Sequence, residues 1–171
     1  MWSRRRVIFV GVAGAVAASA ALVLPRRGSS GAARSGVALV SEHADMLRVV
    51  TQALLGSALP TGADARNREL TRVLTATGEL IANLPPSTRK EIADLFGLLA
   101  LKSARVLLGY SGDWVAADIP TVTAFLAGLR DSSIGLKQQA YFALHDLLIG
   151  SFYAEPSTWT TTGYPGPPKL A

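Results

Sequence analysis

The chain contains no cysteine among its 171 residues. That absence removes disulfides, thiolate metal sites and a cysteine nucleophile together, and any complex this chain enters is held without sulfur bonds. Charge is sparse as well, at 17% of residues against 49% hydrophobic. Such a balance favours a packed core over disorder. No stretch alternates apolar and polar residues between hairpin turns, so strands are not expected.

Acidic residues are missing before position 34, whereas Arg4, Arg5, Arg6, Arg26 and Arg27 all fall there. The formal net charge of +5 therefore belongs to the N-terminal segment; from Arg34 onward 12 basic residues meet 12 acidic ones. A nucleic-acid surface needs cations clustered on the folded domain, and none is expected here.

Motifs that carry chemistry are also absent. There is no GxGxxG, no phosphate-binding loop, no HExxH and no Gly-x-Ser-x-Gly elbow; Leu108-Gly109-Tyr110-Ser111-Gly112 approximates the last and reads as a loop. His43 and His145 stand on separate predicted helices, where surface or half-buried positions are expected. His145 and Asp146 are adjacent and should point apart on a helix. Glu91 and Asp94 share a helix face with Arg89, Lys90, Lys102 and Arg105 nearby, the pattern of a solvated charged face. Arg105 and Arg130, near helix ends, suit salt bridges or carbonyl capping. No catalytic, cofactor-binding or metal site is expected in this chain.

What is present begins with a leader. Ser3, Arg4, Arg5, Arg6, Val7 and Ile8 fill in order the twin-arginine export pattern, a hydroxyl residue, two arginines, any residue and two apolar ones. An uncharged run from Val7 to Leu24 follows, rich in Ala, Val and Gly, with Arg26 and Arg27 behind it. Cleavage after Ala20, or preferably after Ala32 or Ala33, would free the domain into the periplasm. The alternative is a membrane anchor, for which the run is at the lower limit of length; an uncleaved leader would serve as both. The twin-arginine route carries folded proteins, commonly ones that acquire a cofactor in the cytoplasm, yet this chain shows no cofactor site of its own.

The body, residues 34–153, reads as an all-α, bundle-like or orthogonal domain of about five helices. Gly28 to Gly36 reads as a linker. A first helix spans Val37 to Leu59. A second, capped by Asp64, carries Leu70, Val73, Leu74, Thr77, Leu80, Ile81 and Leu84 at helical spacing and stops at Pro85-Pro86. Thr88 and Glu91 form a capping box for a third, which carries the apolar residues Ile92, Leu95, Phe96, Leu99, Val106 and Leu107 and closes at Gly109. Asp118 and Pro120 start a fourth, and a fifth runs from about Ser133 to Tyr153. Trp114, Phe125, Tyr141 and Phe142 are spaced as core or interface aromatics, Phe125 and Phe142 being assigned to the core.

The tail from 154 to 171 is too rich in Pro, Gly and Thr for an α-helix, yet carries Trp159 and Tyr164. An extended segment docking on its own body or on a partner is expected. Together with Tyr141-Phe142-Ala143-Leu144-His145-Asp146-Leu147-Leu148 and Gly150-Ser151-Phe152-Tyr153-Ala154-Glu155-Pro156, the ending Trp159 and Gly163-Tyr164-Pro165-Gly166-Pro167-Pro168 resembles the small subunits of membrane-associated bacterial sugar and polyol dehydrogenases, the family of gluconate dehydrogenase subunit three and the sorbitol dehydrogenase small subunit. The likeness covers the leader loosely, the helices by pattern, and the last ~30 residues most specifically. A glycine- and asparagine-rich stretch found before the final motif in gluconate-type members is replaced here by Ser157 to Thr162.

The resemblance implies a non-catalytic accessory subunit, acting as a chaperone for folding, stability and export. Its partner would be a flavoprotein of the glucose–methanol–choline (GMC) type, holding FAD and lacking its own signal, with the twin-arginine translocase as carrier. A cytochrome c subunit often completes such complexes. Phe152, Tyr153, Pro156, Trp159, Gly163, Tyr164 and Pro165 would form the partner-binding tail, and Ser3, Arg4 and Arg5 the export signal. From another class, a stand-alone exported helical binding protein, or a membrane-tethered structural one, also fits the leader and the neutral body.

Overall fold

A computed structural model describes residues 36–166 of the chain; the expected export-signal residues Ser3, Arg4 and Arg5, the apolar run, the expected cleavage sites and the end of the tail lie outside them. The described residues form an all-α domain without strands. Its helices are α1 (Gly36–Glu42), α2 (Ala44–Leu55), α3 (Ala63–Ala82), α4 (Pro86–Ala100), α5 (Lys102–Leu108), α6 (Ile119–Arg130) and α7 (Gly135–Tyr153). Short 3-10 turns occupy Gly56–Ala58 and Pro156–Thr162. Among the described residues no helix is long and apolar enough to cross a membrane.

Two of the five expected helical stretches are each divided. His43 leaves helical geometry at φ −116° and ψ 22° and separates α1 from α2. Its ring Nδ1 lies 3.0 Å from the Leu39 carbonyl, giving a partner to an oxygen near the end of α1, and the ring packs 5.6 Å from Phe96. The histidine is thus buried rather than at the surface. Leu101, extended at ψ 115°, separates α4 from α5. Neither break contains Gly or Pro, the residues that mark breaks in a sequence.

Helix starts also differ from expectation at two places. Pro86 opens α4 from Pro85, so Thr88 lies inside the helix and forms no capping box. Gly62 precedes α3, and Asp64 sits in its first turn rather than at its cap. Asp118 does cap α6: its Oδ2 accepts the Thr121 N–H at 2.9 Å.

Four helices make the centre. Helix α2 packs on α3 and α6, and α7 packs on all three, closing the ring. Leu47, Val50, Ile81, Leu99, Leu129, Leu144 and Leu148 lie in the main core, and α4 adds Ile92, Leu95 and Phe96. A satellite cluster of Leu55, Leu59, Leu70, Val73 and Phe152 joins the ends of α2 and α7 to the start of α3. The buried hydroxyls of Thr51, Thr77 and Ser151 are satisfied within their own helices, bonding Leu47, Val73 and Leu147, each a carbonyl one turn back.

Helix α1 reaches α3 through glycine. A Cβ at Gly36 would overlap the Gly78 carbonyl oxygen and stand 2.5 Å from the Ala82 nitrogen; one at Gly78 would stand 3.0 Å from Val37 Cα. Gly36 is therefore a buried packing residue rather than linker. A mid-helix glycine costs about 1 kcal/mol relative to alanine, and the close approach of α1 explains Gly78.

Two outcomes follow from these contacts. Gly78→Val is expected to push α1 off α3 and lower stability by about 1–3 kcal/mol in denaturant melts, whereas Gly97→Ala, with nothing within 4 Å of its added Cβ, gains up to about 1 kcal/mol. The Asp118 carboxyl is held below its ordinary value of 3.8 by the Thr121 N–H. The stability advantage of wild type over Asp118→Ala is then full near neutral pH and is lost as pH falls through the carboxylate range, which melts from pH 7 to 2.5 will follow.

Candidate functional site

The end of α7 leaves carbonyls that a helix cannot satisfy by itself. Here side chains from elsewhere take them. The Phe152 carbonyl accepts from Arg72 Nη2 at 3.2 Å and from Thr158 Oγ1 at 3.3 Å. Trp159 Nε1 donates to the Tyr153 carbonyl at 2.7 Å. Arg72 is set for this by Glu69 one turn earlier on α3, at 2.5 Å, and its guanidinium also lies 5.9 Å from the Phe152 ring centre. The tail is fastened to α7 and α3 at once.

Beyond Trp159 the chain folds back on itself. The Trp159 carbonyl accepts the Tyr164 N–H at 3.2 Å and the Thr162 hydroxyl at 2.8 Å. Gly163 permits this reversal at φ 71°, a conformation that L side chains rarely adopt. Tyr164 meets the indole edge-on at 5.4 Å, and Gly166, at φ 97°, lies so near that a Cβ there would be 3.3 Å from the ring. The Gly-Tyr-Pro-Gly ending is a small fold around one tryptophan.

The tail was expected to be extended; through Pro156–Thr162 it is instead a 3-10 turn. Of the seven expected docking residues, Phe152 is buried in the satellite core and Tyr153 and Trp159 are half-buried. Pro156, Gly163, Tyr164 and Pro165 are exposed, Tyr164 by 49%. Arg72 and Thr158 were missed. The Glu69–Arg72 spacing is visible in the sequence, but nothing there says that this arginine reaches a carbonyl 80 positions away.

The other singled-out residues fall elsewhere. Phe142, assigned to the core, is 47% exposed, and Val106 and Leu107 point outward, Leu107 by 73%. Helix α5 turns Arg105 inward instead, 6% exposed, with its guanidinium 5.3 Å from Trp114 and 5.7 Å from Tyr110. Its Nε has no hydrogen-bond partner, and among the described residues neither the salt bridge nor the capping role expected of it is seen. Tyr110 is brought there by the helix end. Its N–H bonds the Arg105 carbonyl while Gly109, at φ 110°, bonds that of Val106. Burial raises the Tyr110 hydroxyl above its usual range, with Arg105 opposing and Asp118 and Asp113 adding. Trp114 lies in a loop yet is buried, its Nε1 donating to the Leu99 carbonyl at 3.0 Å.

His145 and Asp146 do not point apart: Nδ1 and Oδ1 are 3.1 Å from one another. Lys90 engages Asp94 at 2.6 Å. Glu91 beside them is raised by partial burial and by Asp94, with Lys90 opposing. Arg130 pairs with Asp131 at 2.8 Å, which holds that carboxyl low. Among the described residues no three His, Cys, Asp or Glu side chains converge on a metal position. An open cleft of about 400 Å³ is lined by Tyr110, Ser111, Gly112, Thr121, Phe125 and Lys137 among others. It brings Lys137 and the hydroxyl residues Tyr110, Ser111 and Thr121 beside Phe125, and neither histidine lines it. The tail and the end of α7 are where the sequence-predicted residues gather.

No protein-family model, no curated protein and no solved structure matches this chain.

Replacing Trp159 with Phe keeps a ring between Tyr164 and Gly166 but leaves the Tyr153 carbonyl without its donor. Amide exchange over residues 154–166 is expected to accelerate by about tenfold or more, the equivalent of one hydrogen bond. Exchange in α2 and α4 should stay at the wild-type rate.

Proposed function

We propose that this chain is a non-catalytic accessory subunit of an exported FAD-dependent dehydrogenase of the glucose–methanol–choline type. It binds the folded flavoprotein in the cytoplasm and lends it a twin-arginine signal. The observation that carries the reading is the tail. An ending similar to that of the dehydrogenase small subunits is fastened to α7 by Arg72, Thr158 and Trp159. It presents Tyr164 and Pro165 to the outside. A segment ordered before binding loses less conformational freedom on association than a loose peptide, which suits a lasting complex.

The leader supports the same reading. Ser3, Arg4 and Arg5 begin a signal for folded cargo, and the cofactor that would require folding before export resides in the partner. A cytochrome c subunit receiving the electrons completes the proposed assembly. Binding is non-covalent with respect to sulfur, since the chain has no cysteine.

The test is recovery of the tagged chain from its native host, with flavin absorbance read on the eluate. A larger yellow protein is expected to co-purify, and to vanish from the periplasm when Arg4 and Arg5 are both changed to Lys. Tyr164→Ala with Pro165→Ala should weaken that association by about tenfold or more, beyond the small loss of stability that follows from removing the Tyr164 ring from Trp159, with amide exchange in α2 and α4 unchanged. A colourless chain recovered alone would overturn the proposal and favour a stand-alone exported domain.

A further inference from the structure

Helix α7 is apolar around most of its circumference, and a helix of that kind belongs inside. Three of its sides are covered, by α2, α3 and α6. At 100° per residue, Phe142, Asp146, Ile149 and Tyr153 fall within about 40° of one line along α7. Phe142 and Asp146 are exposed and Ile149 and Tyr153 half-buried. From Phe142 to Tyr153 the line covers three turns, about 16 Å. There it meets the tail, because Trp159 bonds the Tyr153 carbonyl and Tyr164 packs on Trp159. A strip thus runs from Phe142 to Tyr164, open at Phe142 and Asp146, partly covered by the satellite core at Ile149 and Tyr153, and aromatic again at Trp159 and Tyr164.

The charge beside this strip has one sign. Residues 138–166 contain Asp146 and Glu155 and neither Lys nor Arg. Two cations that approach from other elements are engaged: Arg130, 6.0 Å from the Tyr141 ring, is held by Asp131, and Arg72 by Glu69. His145 is turned to Asp146. Anionic lipid would be repelled by the two carboxylates. In a symmetric contact, a second copy would bring the same carboxylates against each other.

We infer that the α7 face led by Phe142 continues the tail surface, and that the partner covers it with an apolar pocket rimmed by Arg and Lys. This rests on reading the chain as a subunit of a flavoprotein complex. Phe142 is the anchor, since a large aromatic enclosed by a partner is the usual form of an interface hot spot. Asp146 and Glu155 steer the encounter and set its register.

The experiment places a photo-crosslinking amino acid at position 142 of the full chain in its native host, with exposed Ser87 on α4 as control position. The expected product joins position 142, and not 87, to the flavin-bearing subunit, within a peptide containing Arg or Lys. Phe142→Gln should weaken the complex at least about tenfold, with the melting temperature unchanged because the ring is already half in solvent. Asp146→Lys combined with Glu155→Lys should slow association by about tenfold or more at low salt. Co-purification of the flavoprotein without an adduct at 142, or an adduct only with a second copy, overturns the inference and leaves the subunit reading standing. Unchanged association rates in the charge-reversed variant overturn the basic rim. A wild-type chain that recovers no flavoprotein overturns both readings.

Discussion

Helix α7 needs neighbours on nearly every side. A run of nineteen residues with Leu, Phe, Tyr and Ile distributed around the axis cannot sit on the surface of a two-layer domain. Helices α2, α3 and α6 supply three walls, and the chain after Tyr153 folds back over the helix end. The rest of the architecture can be described from that requirement. Helix α1 closes against α3 at Gly78 and adds Leu39 and Val40 to the core, and α4 with α5 completes it around Phe96 and Trp114.

The same helix joins stability to the proposed role. Its terminal carbonyls are satisfied by Arg72 from α3 and by Thr158 and Trp159 from the tail. Tail order and helix-end order are therefore one cooperative unit. A partner that grips Tyr164 pulls on the cap of α7, and through Phe152 on the satellite core. In such a unit the tail proposed to dock is held in shape by the residues that finish the fold. Helix α5 follows another logic. It buries Arg105 against two aromatic rings, which accept the cation through their faces, and leaves Val106 and Leu107 in solvent.

Much of the helical content was legible in the sequence. The second stretch kept its inward residues because Leu70, Val73, Leu74, Thr77 and Ile81 follow a single period, and Pro85 with Pro86 ends it without ambiguity. Asp118 and Pro120 marked the start of α6 because an acceptor at the cap and a proline without an N–H suit that place in any context. Leu80, Phe142, Val106 and Leu107 were misplaced inward. Hydrophobicity says that a residue gains by burial, but not whether a neighbour arrives to cover it. The breaks at His43 and Leu101 left no mark in the sequence, and each lies beside a contact from a distant residue, Phe96 on His43 at the first and Trp114 on the Leu99 carbonyl near the second.

By itself the sequence determined the helix class, the stops marked by Gly and Pro, the excess of positive charge before residue 34 and the aromatic character of the ending. These depend on backbone chemistry and on composition, which act over a few residues. Only the tertiary structure decided that Gly36 and Gly78 let two helices touch, that His145 turns to Asp146, and that Trp159 is a cap before it is a contact. Those outcomes depend on which distant groups meet. The Phe152 carbonyl finds its donor 80 positions away in Arg72, and no local pattern encodes that meeting.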